Sequence, residues 1–241
     1  MSLFRKKDAP SAGATERVVS LRKTAAVSLT KNGLEADGTG GVAVYLVLDH
    51  SYSMQPFYFF GGDVQRITEQ AFALAREIDS DGEVPVFYFG SGVVAPGSGY
   101  GRPDLIATDA NIEGFVDRTH RTVPWGSTDY AGAIRTVSDY HRLNGANEPA
   151  LVIFQTDGSP DDRAAAERAL RDVSGENLFF AFVGFGPKRN VEFLFELDKI
   201  EGRVRDNASA FHAVNPQATP DADLYDGLLK EFTRDWLPQV L

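Results

Sequence analysis

Four short apolar runs set the tightest limit on how this chain can fold. They are "VAVYLVL" (42–48), "VPVFYF" (84–89), "ALVIFQ" (150–155) and "LFFAFVGF" (178–185). Each is rich in β-branched or aromatic residues and shows no alternation with polar ones, the pattern of a strand covered on both faces. The longest is far too short to span a membrane as a helix. Between and after them lie amphipathic segments at helical spacing, over 63–79, 129–143, 161–174, 190–200 and 221–237. This alternation predicts an α/β fold: a doubly wound, mostly parallel sheet with helices on both faces and right-handed crossovers, Rossmann-like in plan.

The N-terminal part reads differently. Residues 1–15 are small, polar and Pro/Gly-bearing, and are expected to form a flexible arm. "RVVSLRKTAAVSLTKNG" shows rough period-2 alternation closed by Asn32-Gly33, which predicts a short β-hairpin, a strand pair over 16–41. No internal repeat or low-complexity tract interrupts residues 42–241. One domain is expected over 16–241, with its core at 42–241.

Composition removes several function classes. The formal net charge of −10 should repel nucleic acid and anionic membrane surfaces. There is no cysteine, hence no disulfide, thiolate zinc site or cysteine nucleophile. The four histidines include no pair at metal-ligand spacing. The first residues carry basic side chains but no apolar stretch of the secretory type, so a cytoplasmic location is expected.

Ligands of open parallel sheets bind beyond the carboxyl ends of strands, where strand order reverses. Asp49 follows the first core strand, and Asp157 follows the third. Ser51 and Ser53 sit two and four residues after Asp49, while "PWGSTDYAGAI" delivers Thr128 to the start of a helix. Together Asp49, Ser51, Ser53, Thr128 and Asp157 make an oxygen donor set suited to a divalent cation, Mg²⁺ first and Mn²⁺ or Ca²⁺ next.

Plainer roles compete for these residues. Asp-x-Ser-x-Ser is also a capping turn, and either Thr128 or Asp129 could cap the following helix. Ser159 through Asp162 reads as a helix start, with Ser159 as the cap and both acids outside the metal shell. The run "FYFF" (57–60) is either a core plug or an exposed contact surface, with core favoured. His50 is given no role, and "SGVVAPGSGYGRP" lacks the Lys-Ser/Thr of a phosphate cradle.

The D-x-S-x-S stretch, the later threonine and the T-D-G context resemble the metal-ion-dependent adhesion site of von Willebrand factor A (vWA) domains. More narrowly, "LVLDHSYSM", "GGDVQRITEQAFALAREIDSDGEVPVFYFG", "WGSTDYAGAI" and "VIFQTDGSPDD" resemble the vWA-like domains of bacterial tellurium-resistance (Ter) stress systems. The resemblance implies a non-enzymatic, metal-dependent module whose protein partner supplies an Asp or Glu to the ion. Tyr52 departs from the pattern, because many vWA domains have glycine there. A haloacid-dehalogenase-type phosphohydrolase also places an aspartate after its first strand, but it needs a second one where this chain has Ser51. A scaffold with a vestigial metal site is the third reading.

Overall fold

The computed structural model describes residues 12–35, 41–60, 62–79, 81–97, 102–144 and 148–241. Its strands are β1 (Ala43–Asp49), β2 (Val84–Phe89), β3 (Val93–Val94), β4 (Ile106–Ala107), β5 (Ala150–Thr156), β6 (Leu178–Phe185) and β7 (Ala208–Ala213). They form one seven-stranded sheet in the order β3-β2-β1-β5-β6-β7, with β4 also on β2. The long pairings β2-β1-β5-β6-β7 are parallel, and only the two-residue strands β3 and β4 run antiparallel. Strand order reverses at β1, since the chain leaves it toward β2 and returns on its other side as β5.

The helices are α1 (Ala12–Lys31), α2 (Gln55–Phe59), α3 (Asp63–Ile78), α4 (Phe115–Thr119), α5 (Tyr130–Asn144), α6 (Arg163–Asp172), α7 (Lys188–Leu197) and α8 (Asp221–Glu231). Successive strand side chains point to opposite faces and build two cores. Leu46, Leu48, Leu151 and Ile153 pack with Phe72 of α3 and Leu228 of α8. Val47, Val152, Phe154 and Phe182 pack with Ile134 of α5, Leu170 of α6 and Leu194 of α7. Both faces are therefore covered, which is why the four runs carry no polar alternation.

The expected strand pair over 16–41 is instead mostly helix. Val18, Leu21, Ala25 and Leu29, at helical spacing, are the buried side of α1, which packs across α3 and α8. Asn32-Gly33 ends that helix rather than turning a hairpin. Gly33 takes φ +85°, its N–H bonds to Thr30 O at 3.1 Å, and Leu34 N–H bonds to Leu29 O at 3.0 Å. That pair of bonds is the Schellman motif, in which glycine relieves the left-handed backbone. Ion pairs Arg17–Glu69 and Arg22–Glu77 fix α1 to α3, and Lys31 pairs with Asp226 of α8. Of the expected arm, residues 12–15 belong to α1, and 1–11 lie outside the described residues, as do 36–40.

Candidate metal centre

Asp49 closes β1, Asp157 is the first residue beyond β5, and Leu48 pairs with Gln155 in the ladder between them. The two acids thus stand on adjacent strand ends at the crevice where strand order reverses. Alternation places Asp49 and Thr156 on the same face, and Thr156 Oγ1 donates to Asp49 Oδ2 at 2.6 Å. Ser51 N–H donates to Asp49 Oδ1 at 2.7 Å. Asp49 is fully buried, and burial pushes its carboxyl up to about 7 against the lowering effect of those hydrogen bonds.

A chain of oxygens continues outward. Ser51 Oγ lies 3.1 Å from Ser53 Oγ, and Ser53 Oγ donates to Asp157 Oδ1 at 2.8 Å. Burial also raises the Asp157 carboxyl, with the Ser53 bond acting in the other direction. Ser51 is buried and Ser53 exposed, so the cluster opens to solvent at Ser53. Hydrogen bonding therefore joins four of the five expected residues directly.

Thr128 arrives by the backbone. Tyr52 N–H bonds to Gly126 O at 3.1 Å and Gly126 N–H to His50 O at 3.2 Å, which ties its loop to the β1 loop. A Cβ on Gly126 would meet Ser91 N at 2.3 Å, so only glycine lets this loop also pass against the turn after β2. Thr128 N–H then donates to Asp161 Oδ2 at 3.0 Å, and Asp161 N–H returns a bond to Thr128 O at 3.0 Å. Asp129 takes the capping role, accepting from Gly132 N–H at 2.9 Å, which releases the Thr128 hydroxyl from it. Ser159 does not cap α6; Asp162 does, accepting from Ala165 N–H at 2.9 Å.

Several supporting residues lie outside the expected donor set. Tyr130 OH donates to Thr156 Oγ1 at 3.2 Å, and Tyr58 OH donates to Asp49 O at 3.0 Å. Gln155 Nε2 donates to Met54 Sδ at 3.4 Å, beneath the turn that holds Ser53. Thr156 alone has a usable signal, because strand alternation sets it beside Asp49. Tyr52 needs no glycine: no non-glycine residue among those described has positive φ, and its ring is exposed.

His50 is packed rather than ligating. Its ring stacks on Trp125 at 3.6 Å, and Nδ1 donates to Pro124 O at 3.3 Å. Nε2 then accepts from His120 Nδ1 at 3.4 Å, and burial lowers the His50 pKa to about 4. The aromatic run divides: Tyr58 is buried, Phe57 half-buried, Phe59 and Phe60 exposed.

Among the described residues, no group of three or more His, Asp or Glu side chains is arranged to hold a metal. The donors at this crevice are instead two carboxylates and neutral hydroxyls, a hard-oxygen set that fits Mg²⁺, Mn²⁺ or Ca²⁺.

A mostly parallel sheet with a D-x-S-x-S loop at its switch point, facing threonine and Asp-Gly loops, defines a vWA domain. Its fold matches the manganese-loaded TRAP protein of Plasmodium vivax (TM-score 0.55, 21% identity, 80% of this chain and 74% of that one). It also matches the mussel-byssus proximal thread matrix protein 1 with a zinc-occupied MIDAS motif (TM-score 0.55, 17% identity, 80% and 49%). A third match is a von Willebrand factor type A protein from Catenulispora acidiphila (TM-score 0.55, 15% identity, 83% and 43%). The chain spans about half the length of the last two or less. Within that class the chain belongs to the vWA-TerF-like family, the vWA found in the TerF C terminus, which matches residues 41–240. The uncharacterized protein YcbR of Bacillus subtilis is 30% identical over 202 residues, 82% of this chain and 78% of its own length. Helix α1 lies outside the family match.

Proposed function

We propose that the chain is a divalent-metal-dependent protein-binding module and not an enzyme. Asp49, Ser51, Ser53, Thr128 and Asp157 would hold the cation, Mg²⁺ first, with Asp or Glu of a partner completing its coordination. The observation that carries this reading is the hydroxyl–carboxylate chain Ser51–Ser53–Asp157, open to solvent at Ser53. Two aspartates balance the ion's charge, while neutral hydroxyls leave it attractive to one more carboxylate. The zinc and manganese carried by two structural neighbours support the choice of a divalent ion. The family supports a bacterial stress-response setting related to tellurium resistance. A cytoplasmic location is part of the same proposal; no described helix is long and apolar enough to cross a membrane.

Both Asp49 carboxylate oxygens already accept hydrogen bonds, from Ser51 and Thr156. Neither donor is an acid/base partner for a phosphohydrolase nucleophile. The test is capture of partner proteins by the immobilised chain in Mg²⁺ and in EDTA, beside an assay of p-nitrophenyl phosphate. Capture that needs Mg²⁺, with no turnover, is expected. Metal-dependent turnover abolished by Asp49→Ala would replace this reading with the phosphohydrolase, and equal capture in EDTA would leave a metal-independent scaffold.

The buried carboxyl makes metal binding pH-dependent. Asp49, near 3.8 when unfolded and about 7 when folded, keeps its proton longer in the folded state. Its contribution to metal-free stability therefore falls as pH rises from 4 to 7. His50 acts oppositely, costing stability as pH falls from 6.5 toward 4. Subtracting melting temperatures with and without Mg²⁺ cancels His50, which binds no metal. That difference should be small at pH 5.5 and grow toward pH 8; a flat profile would exclude Asp49 as an ionised ligand.

A further inference from the structure

The exposed aromatic rings among the described residues all stand beside the proposed metal site. Tyr52 is 66% exposed, Phe59 57% and Phe60 86%, on the segment that carries Ser51 and Ser53. Exposed apolar area gathered in one place, rather than scattered singly, marks an interaction surface. Packed side chains support part of this segment. Tyr58 is bonded to Asp49 O, and Phe59 lies 5.9 Å from both His120 and Trp125. Trp125 in turn stacks on buried His50. Phe59 is thus held in place within the exposed segment, which lowers the cost of binding there.

Cations flank this rim although the chain carries a net charge of −10. Phe57 lies 5.5 Å from Phe185, and a Cβ on Gly186 would sit 3.6 Å from its ring, which brings the β6–α7 turn alongside α2. Exposed Lys188 and Arg189 open α7 there, where the positive end of the helix dipole adds to their charge. On the other flank exposed Arg121 follows His120. None of the three forms an ion pair among the described residues.

We infer that the occupant of this surface is a protein segment in which carboxylates alternate with large apolar side chains. One carboxylate completes the metal, a second reaches Lys188 and Arg189 or Arg121, and an apolar side chain rests on Phe59 and Phe60. This rests on the metal-binding reading above. It goes further in stating what must neighbour the coordinating acid, since an isolated carboxylate would leave the aromatic rim in water.

The test pans a display library of random twelve-residue peptides on the full chain in Mg²⁺, with elution by EDTA. Recovered peptides should carry Asp or Glu within three positions of Phe, Tyr, Trp or Leu. The Phe59→Ser, Phe60→Ser double variant should bind them about tenfold more weakly, the scale of one lost aromatic contact. It should keep the wild-type gain in melting temperature with Mg²⁺, because neither ring touches the donors. The Lys188→Glu, Arg189→Glu variant should lose the preference for a second acid. Acidic peptides with no apolar preference, undiminished binding by the serine variant, or no EDTA-eluted peptides from a chain that Mg²⁺ stabilises would overturn the inference. A wild-type dimer in sedimentation that the serine variant returns to monomer would also overturn it, making a second copy the occupant. Absence of any Mg²⁺ effect on wild-type melting would instead sink the underlying metal reading.

Discussion

Asp49→Asn is expected to raise the melting temperature of the metal-free protein at pH 8 while removing its response to Mg²⁺. At that pH the wild-type carboxylate is ionised yet fully buried, and the asparagine amide has no such charge to desolvate. Oδ1 can still accept from Ser51 N–H, and the new NH₂ can donate to Thr156 Oγ1, which reverses that bond and turns the Thr156 proton toward Tyr130 OH. The gain should be about 2 kcal/mol, less than the full pKa displacement implies because the cavity relaxes. For a domain of this size that corresponds to about 5 °C. Thermal melts with 10 mM EDTA or about 10 mM Mg²⁺, a working excess for a stabilising ligand, read both effects together. A variant that is less stable without metal, or that keeps the Mg²⁺ response, would show that Asp49 serves the fold rather than the ion. A carboxylate that costs stability when empty and repays it on binding is the expected signature of a functional site.

The double replacement Ser51→Ala, Ser53→Ala should weaken Mg²⁺ binding at least about tenfold, the size expected for losing charge-directed oxygen contacts. It changes no charge. It does remove the Ser53 donor to Asp157 and the Ser51 hydroxyl that lowers Asp49, so both carboxyls should shift further upward. The Asp49 contacts to Ser51 N–H and Thr156 remain, since one is backbone and the other is on β5. Calorimetric titration with Mg²⁺ distinguishes coordination by hydroxyls from simple attraction between cation and carboxylates. Unaltered affinity would assign the site to electrostatics alone. Loss of affinity that 0.5 M NaCl does not reproduce in the wild type would assign it to the hydroxyl geometry.

The parts visible in the sequence are those where one physical rule acts without competition. Runs such as 150–155 and 178–185 are apolar on both faces because helices cover both, and their strands begin and end within a residue of the expected bounds. Strand β7, "ASAFHA", escapes that rule because its small and half-buried residues carry little of the signal. The N-terminal segment misleads because Val19 and Val27 interleave with the buried Val18, Leu21, Ala25 and Leu29 and imitate period 2. Asn-Gly serves equally as a hairpin turn and as a helix stop.

At the site, Asp49 and Asp157 can be paired from the strand-end rule, and the serines follow from their spacing. The hydroxyls of Tyr58 and Tyr130 are hard to see because they support the site from the core, where tyrosine looks like ordinary packing. Asp161 reads as part of a helix start, yet its side chain holds the backbone of Thr128. Its role depends on a contact across 33 residues that no local pattern reports. The aromatic run resists a single reading because its four residues divide between core and surface.

The central claim is that one divalent cation sits among Asp49, Ser51, Ser53, Thr128 and Asp157. Crystals grown with Mn²⁺ and measured at the manganese absorption edge test it most directly. An anomalous peak about 2 Å from Ser51 Oγ and Ser53 Oγ, with Thr128, Asp49 and Asp157 in direct or one-water reach, is the expected result. No peak at that crevice at saturating Mn²⁺, or a peak elsewhere on the chain, would contradict it.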